Sequence, residues 1–122
     1  MKFMTIIKGP ELAEPPPQAL IDAIDVFGQE AKDAGVFVEW GGLKPTADGT
    51  RVRISKGKLV VTDGPFTEAK EVIGGYAVYN VASKAEAIDW TRRFLDLHIK
   101  HWPKWECEVE VRPMFDEPPS LD

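Results

Sequence analysis

The stretch Val60-Val61-Thr62-Asp63-Gly64-Pro65-Phe66-Thr67-Glu68-Ala69-Lys70-Glu71-Val72-Ile73-Gly74-Gly75-Tyr76 decides how the rest of the chain folds. It runs strand, turn, strand. A β-branched pair leads into an Asp-Gly-Pro turn, a polar run follows, and a glycine doublet opens the next apolar segment. Pro65 pins its own φ and drives Gly64 out of the helical region, so the chain must turn there. Past the turn, residues 72–81 are apolar on both alternating faces: Ile73, Ala77, Tyr79 and Val81 on one, Val72, Tyr76 and Val78 on the other. That pattern predicts a central strand covered on both sides.

Upstream, residues 50–55 alternate Val52 and Ile54 against Arg51 and Arg53, and Lys56-Gly57 makes a tight turn into residues 59–62 with Gly57 at positive φ. Val52 and Ile54 are expected inward. Residues 36–40 form a short strand broken by Gly41-Gly42 and closed by Lys44-Pro45. Residues 1–7 form a first strand, apolar on both faces and ended by Lys8-Gly9-Pro10. Three prolines at 15–17 favour extended chain, the last able to start a helix. That helix spans 18–34, with Leu20, Ile24, Phe27, Ala31 and Ala34 on one face, Gly35 as its C-cap and Gly28 as a close-packing position.

Downstream, Ser83 and Glu86 have capping-box spacing at the start of a second helix, whose face carries Ala87, Trp90, Phe94 and Leu97. After Pro103, Cys107, Val109 and Val111 alternate with Glu106, Glu108 and Glu110 in a last strand. The order β, α, β, hairpin, β, α, β predicts an α+β, ferredoxin-like split βαβ fold with an inserted β-hairpin and two helices on one sheet face. One domain is expected over 1–115, with an irregular tail at 116–122. An apolar sheet face without helices predicts a second copy as partner.

With 122 residues and 43% hydrophobic content, the chain can bury a core. A net charge of −5 argues against nucleic acid and anionic membranes as partners. Cys107 is alone, so no internal disulfide or cysteine-rich metal site forms, which suits a reducing compartment. The apolar run at 3–7 is too short for a signal-peptide core, and nowhere do eighteen apolar residues run together. A cytoplasmic protein is the expectation.

For chemistry, Asp63 at a strand end is the first candidate, as general base or hydrogen-bond acceptor in a cleft. An Asp in such a turn commonly bonds the backbone two residues on, and the residues alone favour that structural role. Glu71, beside apolar Val72, is the second candidate. Gly64, Pro65, Phe66 and Tyr76 are candidate ligand contacts, although Phe66 and Tyr76 serve equally well as packing aromatics. Gly74-Gly75 in a central strand signals a close approach by a bulky group. His98 and His101 share a helix side but lack a third ligand, so no metal site is assigned. No catalytic triad, phosphate loop or cofactor pattern occurs, and Cys107 is expected to be inert.

The run Thr62-Asp63-Gly64-Pro65-Phe66, followed by Glu71, Gly74, Gly75 and Tyr76, resembles the signature of the DGPF group of the YCII-related family. The likeness extends to the opening Met1-Lys2-Phe3-Met4, to Gly41-Gly42-Leu43-Lys44-Pro45 and to Glu108-Val109 with Arg112-Pro113, covering about residues 1–115. It implies a ferredoxin-like fold paired into a dimeric α+β barrel. Family members are mostly of undefined activity; some relatives act on small molecules, and many DGPF proteins are encoded beside sigma factors. Other YCII-related members pair a first-helix His with an Asp near the motif. Residues 18–34 contain no His, so that couple does not carry over. The resemblance thus implies a small-molecule-binding homodimer using Asp63, with Glu71 and Tyr76 in support. The alternative is a regulatory interaction module linked to a sigma factor, with the turn as a structural clasp.

Overall fold

The computed structural model describes residues 1–66 and 69–115, so the predicted tail at 116–122 and Thr67 and Glu68 of the turn region lie outside the described residues. The elements are β1 (Lys2–Gly9), α1 (Gln18–Asp33), β2 (Phe37–Gly42), a 3₁₀ turn (Thr46–Asp48), β3 (Thr50–Ser55), β4 (Lys58–Asp63), β5 (Val72–Asn80), α2 (Lys84–His101) and β6 (Glu108–Pro113). Strands β2, β5, β1 and β6 lie in that order in one antiparallel sheet. The doubly apolar strand β5 is therefore central. Both helices cover one face, giving the α+β, ferredoxin-like arrangement expected from the pattern.

Strand parity sets the core. Phe3, Ala77, Tyr79 and Val111 point to the helices, where they meet Phe27, Ala31, Ala87 and Trp90. Phe27 and Trp90 pack edge to face at 5.7 Å, and Tyr79 stacks on Trp90 at 6.2 Å. Gly28 is where α1 meets Trp40 of β2. A Cβ there would overlap the ring of Trp40, so the glycine is a packing position.

The helix ends follow their capping chemistry. Gly35, at φ +73°, donates to the Lys32 carbonyl, and the Val36 N–H reaches Ala31, closing α1 in a Schellman motif. At the start of α2 the Ser83 hydroxyl accepts from the Glu86 N–H at 3.2 Å, while the Glu86 carboxylate accepts from the Ala82 N–H at 2.9 Å. The reciprocal bond lands one residue earlier than the usual capping box.

Three local features differ from the sequence expectation. Strand β2 continues through Gly41-Gly42 instead of breaking, because Gly41 leaves room for the ring of Tyr76 on the neighbouring strand. Strand β1 runs on to Gly9 past a bulge at Ile7/Lys8, and the missing side chain of Gly9 admits Trp105. The hairpin β3–β4 has the expected turn, with Lys56 and Gly57 both at positive φ, but it forms a sheet of its own. Its register puts Val52, Ile54, Leu59 and Val61 on one face, and they are 62%, 79%, 72% and 65% exposed. They are not inward in the single chain.

On the sheet face away from the helices, Met4, Ile6 and Tyr76 are half-buried. There Lys8 pairs with Glu110 at 2.7 Å and Arg112 pairs with the same carboxylate. The Lys8 bond, then the Arg112 bond, holds the Glu110 carboxyl below its usual range, and the same Glu110 bond raises Lys8. No helix is long and apolar enough to cross a membrane among the described residues.

Candidate functional site

A cavity of about 590 Å³ lies between the sheet and the helices at the end where β1 leaves for α1. Its floor is the helix-facing side of the sheet: Thr5, Ile7, Gly75, Ala77 and Val109. Leu20, Ile21 and Ile24 of α1 form one wall, and Thr91, Phe94 and His98 of α2 form the other. Trp40, Trp102 and Trp105 complete an aromatic lining. The proline-rich segment over 10–16 crosses the cavity as a strap.

The polar groups inside are few and mostly committed. Thr5 donates to the Ala77 carbonyl at 3.2 Å and Thr91 to the Ala87 carbonyl at 2.8 Å. His98 Nδ1 is 3.0 Å from the Phe94 carbonyl, and burial pushes its pKa below the usual histidine range. Burial likewise raises the Tyr79 hydroxyl to about 12. The charged lining groups Glu11, Glu14, Asp25 and Lys44 are exposed at the rim.

Three attachments hold the strap. The Trp105 indole N–H donates to the Pro10 carbonyl at 2.9 Å, and Lys104 pairs with Glu14. The Glu11 carboxylate accepts from both the N–H and the hydroxyl of Thr46, each at 2.7 Å. The same Thr46 hydroxyl accepts from the Phe66 N–H at 3.2 Å. The Asp-Gly-Pro-Phe turn is thereby joined, through one threonine, to the strap over the cavity.

The turn itself is tightly built. The Gly64 N–H donates to the Gly49 carbonyl at 2.8 Å, and a Cβ at 64 would sit within the shell of the Thr46 carbonyl oxygen. The Gly64-Pro65 peptide is cis. The Asp63 carboxylate accepts from the Thr50 hydroxyl at 2.9 Å, across the hairpin and in solvent. Phe66 lies under the Arg51 guanidinium at 3.8 Å. Phe66 and Glu71 border a second hollow with Pro45, Thr46 and Arg51, on the outer side of the 3₁₀ turn. Tyr76 covers Gly41.

The structure thus groups Gly64 and Phe66 around Thr46, has Glu71 and Phe66 line one hollow, and leaves Asp63 on the hairpin side. A Cβ on Gly74 would lie 3.5 Å from the Trp105 ring, the bulky neighbour expected from the doublet, while one on Gly75 would press on the Gly41 carbonyl. Cys107 is half-buried, and burial raises its thiol pKa, which disfavours the thiolate. Among the described residues, no three His, Cys, Asp or Glu groups gather around a metal-sized space.

The residue patterns left Trp40, Trp102, Trp105 and the strap out of the site. One signal was present: His98 continues the Ala87, Thr91, Phe94 face of α2 at steps of four, three and four, which places a histidine on an apolar stripe.

Comparison with known proteins adds two findings. The model of the YCII-related domain matches residues 1–94. The chain is also 38% identical over 60 residues to Uncharacterized protein R00369 of Rhizobium meliloti (strain 1021), an alignment covering 49% of this chain and 48% of that protein. The chain spans about half the length of that curated relative. With most of its length matched by the family model, from the first strand into the second helix, this chain belongs to the YCII-related family.

Proposed function

We propose that this YCII-related protein is a homodimeric binder of a small, largely apolar molecule held between its sheet and its helices. The cavity of about 590 Å³ carries this reading. This volume lies in the range of ligand sites. Its lining matches an apolar, ring-containing occupant. Asp63 and Glu71 stand outside it, so an acid/base step by either would need a ligand in the second hollow.

The dimer part of the proposal draws support from the hairpin. An isolated two-stranded sheet is marginal in water, and this one exposes four apolar side chains on one face. A second copy is the simplest cover. Light scattering is expected to give twice the 13.6 kDa chain mass. A monomer that co-purifies with a sigma factor would support the regulatory-module alternative.

The binding claim is tested with 2-naphthol as probe, followed by calorimetry. Val109→Phe fills the floor of the cavity and is expected to weaken binding at least tenfold while the fold stays intact. Asp63→Asn is expected to leave binding unchanged. Unaltered affinity in Val109→Phe, or loss in Asp63→Asn alone, would move the site to the turn.

A further inference from the structure

Resting on the cavity reading above, we infer that His98 is a specificity-determining hydrogen-bond acceptor, so that the ligand is an aromatic molecule carrying a hydroxyl or comparable donor. His98 is only 6% exposed. Its Nδ1 lies 3.0 Å from the Phe94 carbonyl, and a carbonyl can only accept, so Nδ1 carries the proton. In the neutral ring Nε2 is then an acceptor. Among the described residues, nothing pairs with Nε2.

Nor is Nε2 sealed away. Every fully buried side-chain nitrogen or oxygen among the described residues has a partner. Nε2 has none, so it must reach open space, and the open space that His98 borders is this cavity. A buried acceptor without a donor is costly, and Thr5 and Thr91 spend their own hydroxyl protons on backbone carbonyls. In the free protein water reaches Nε2, so a ligand that displaces this water either brings a donor of its own or leaves the acceptor unpaired.

The surroundings specify the rest of that ligand. The His98 ring lies 4.6 Å from Phe94 and 5.9 Å from Trp105, centre to centre. Trp40 and Trp102 line the same space. Flat rings favour a flat, polarisable guest stacked or edge-on between them. Burial keeps the imidazole neutral at neutral pH, in the state that accepts.

The test compares 2-naphthol with 2-methylnaphthalene, which replaces the hydroxyl by a methyl group of similar size. Transfer from water alone favours the methyl compound, so a preference for the naphthol has to come from a partner inside the protein. On the unaltered protein, 2-naphthol is expected to bind about tenfold tighter. His98→Phe keeps an aromatic ring and is expected to abolish that preference while retaining 2-methylnaphthalene. Equal binding of the two probes by the unaltered protein, or a preference that survives in His98→Phe, would overturn the role of His98 and leave the cavity reading standing. Binding of neither probe would overturn both. The two-probe comparison needs no variant, so it decides the matter even if His98→Phe fails to fold.

Discussion

A methyl group at position 64 has nowhere to go: it would overlap the Thr46 carbonyl oxygen, which the 3₁₀ turn holds in place. Gly64→Ala is therefore expected to lower stability by roughly 2–4 kcal/mol, measured by urea unfolding. A loss under about 0.5 kcal/mol would mean that the turn does not pack on Thr46 as described. Residue-scale legibility followed sequence distance. Gly35 and Gly57 announce their backbone geometry locally, and each stands where the pattern put it. The partner that makes Gly64 necessary lies eighteen residues upstream, and no local rule names it. His98 shows the same limit in another form. Its place on an apolar helix face is readable from spacing. Its free Nε2 depends on where Trp105 and the strap close the cavity, which is a tertiary fact.

At the scale of elements, both helices and the strands of the main sheet were legible because period and capping agree there. Alternation in β5 and β6, the Ser83 cap and the Gly35 stop all act within a few residues. The hairpin was legible in register but not in orientation. Alternation says that Val52 and Ile54 share a face; it cannot say what that face meets. Burying one such side chain contributes about 1.5–3 kcal/mol, so four per chain give a substantial drive to pair. Ile54→Glu is expected to convert the dimer to a monomer in light scattering at micromolar concentration, with helix content unchanged by circular dichroism. A dimer that persists in Ile54→Glu would exclude the hairpin from the interface. The strap escaped the sequence reading for a different reason: its prolines predict extended chain, while its anchors are Thr46, Lys104 and Trp105, all distant in sequence.

At the scale of the whole molecule, strand order β2-β5-β1-β6 puts the leaving end of β1 beside the start of β5, and the two helices roof that end without filling it. The resulting cavity has no sequence signature, because it depends on the spacing between layers and not on the pattern within any one of them. Among the described residues, the motif at Asp63-Gly64-Pro65-Phe66 is joined to this cavity through Thr46 and Glu11. The most direct test of binding between sheet and helices is an isotope-filtered nuclear Overhauser measurement on labelled protein with bound 2-naphthol. Contacts are predicted from the probe to the methyl groups of Leu20, Ile24 and Ala77. Contacts confined to the hairpin methyl groups of Val52 and Ile54 would contradict it.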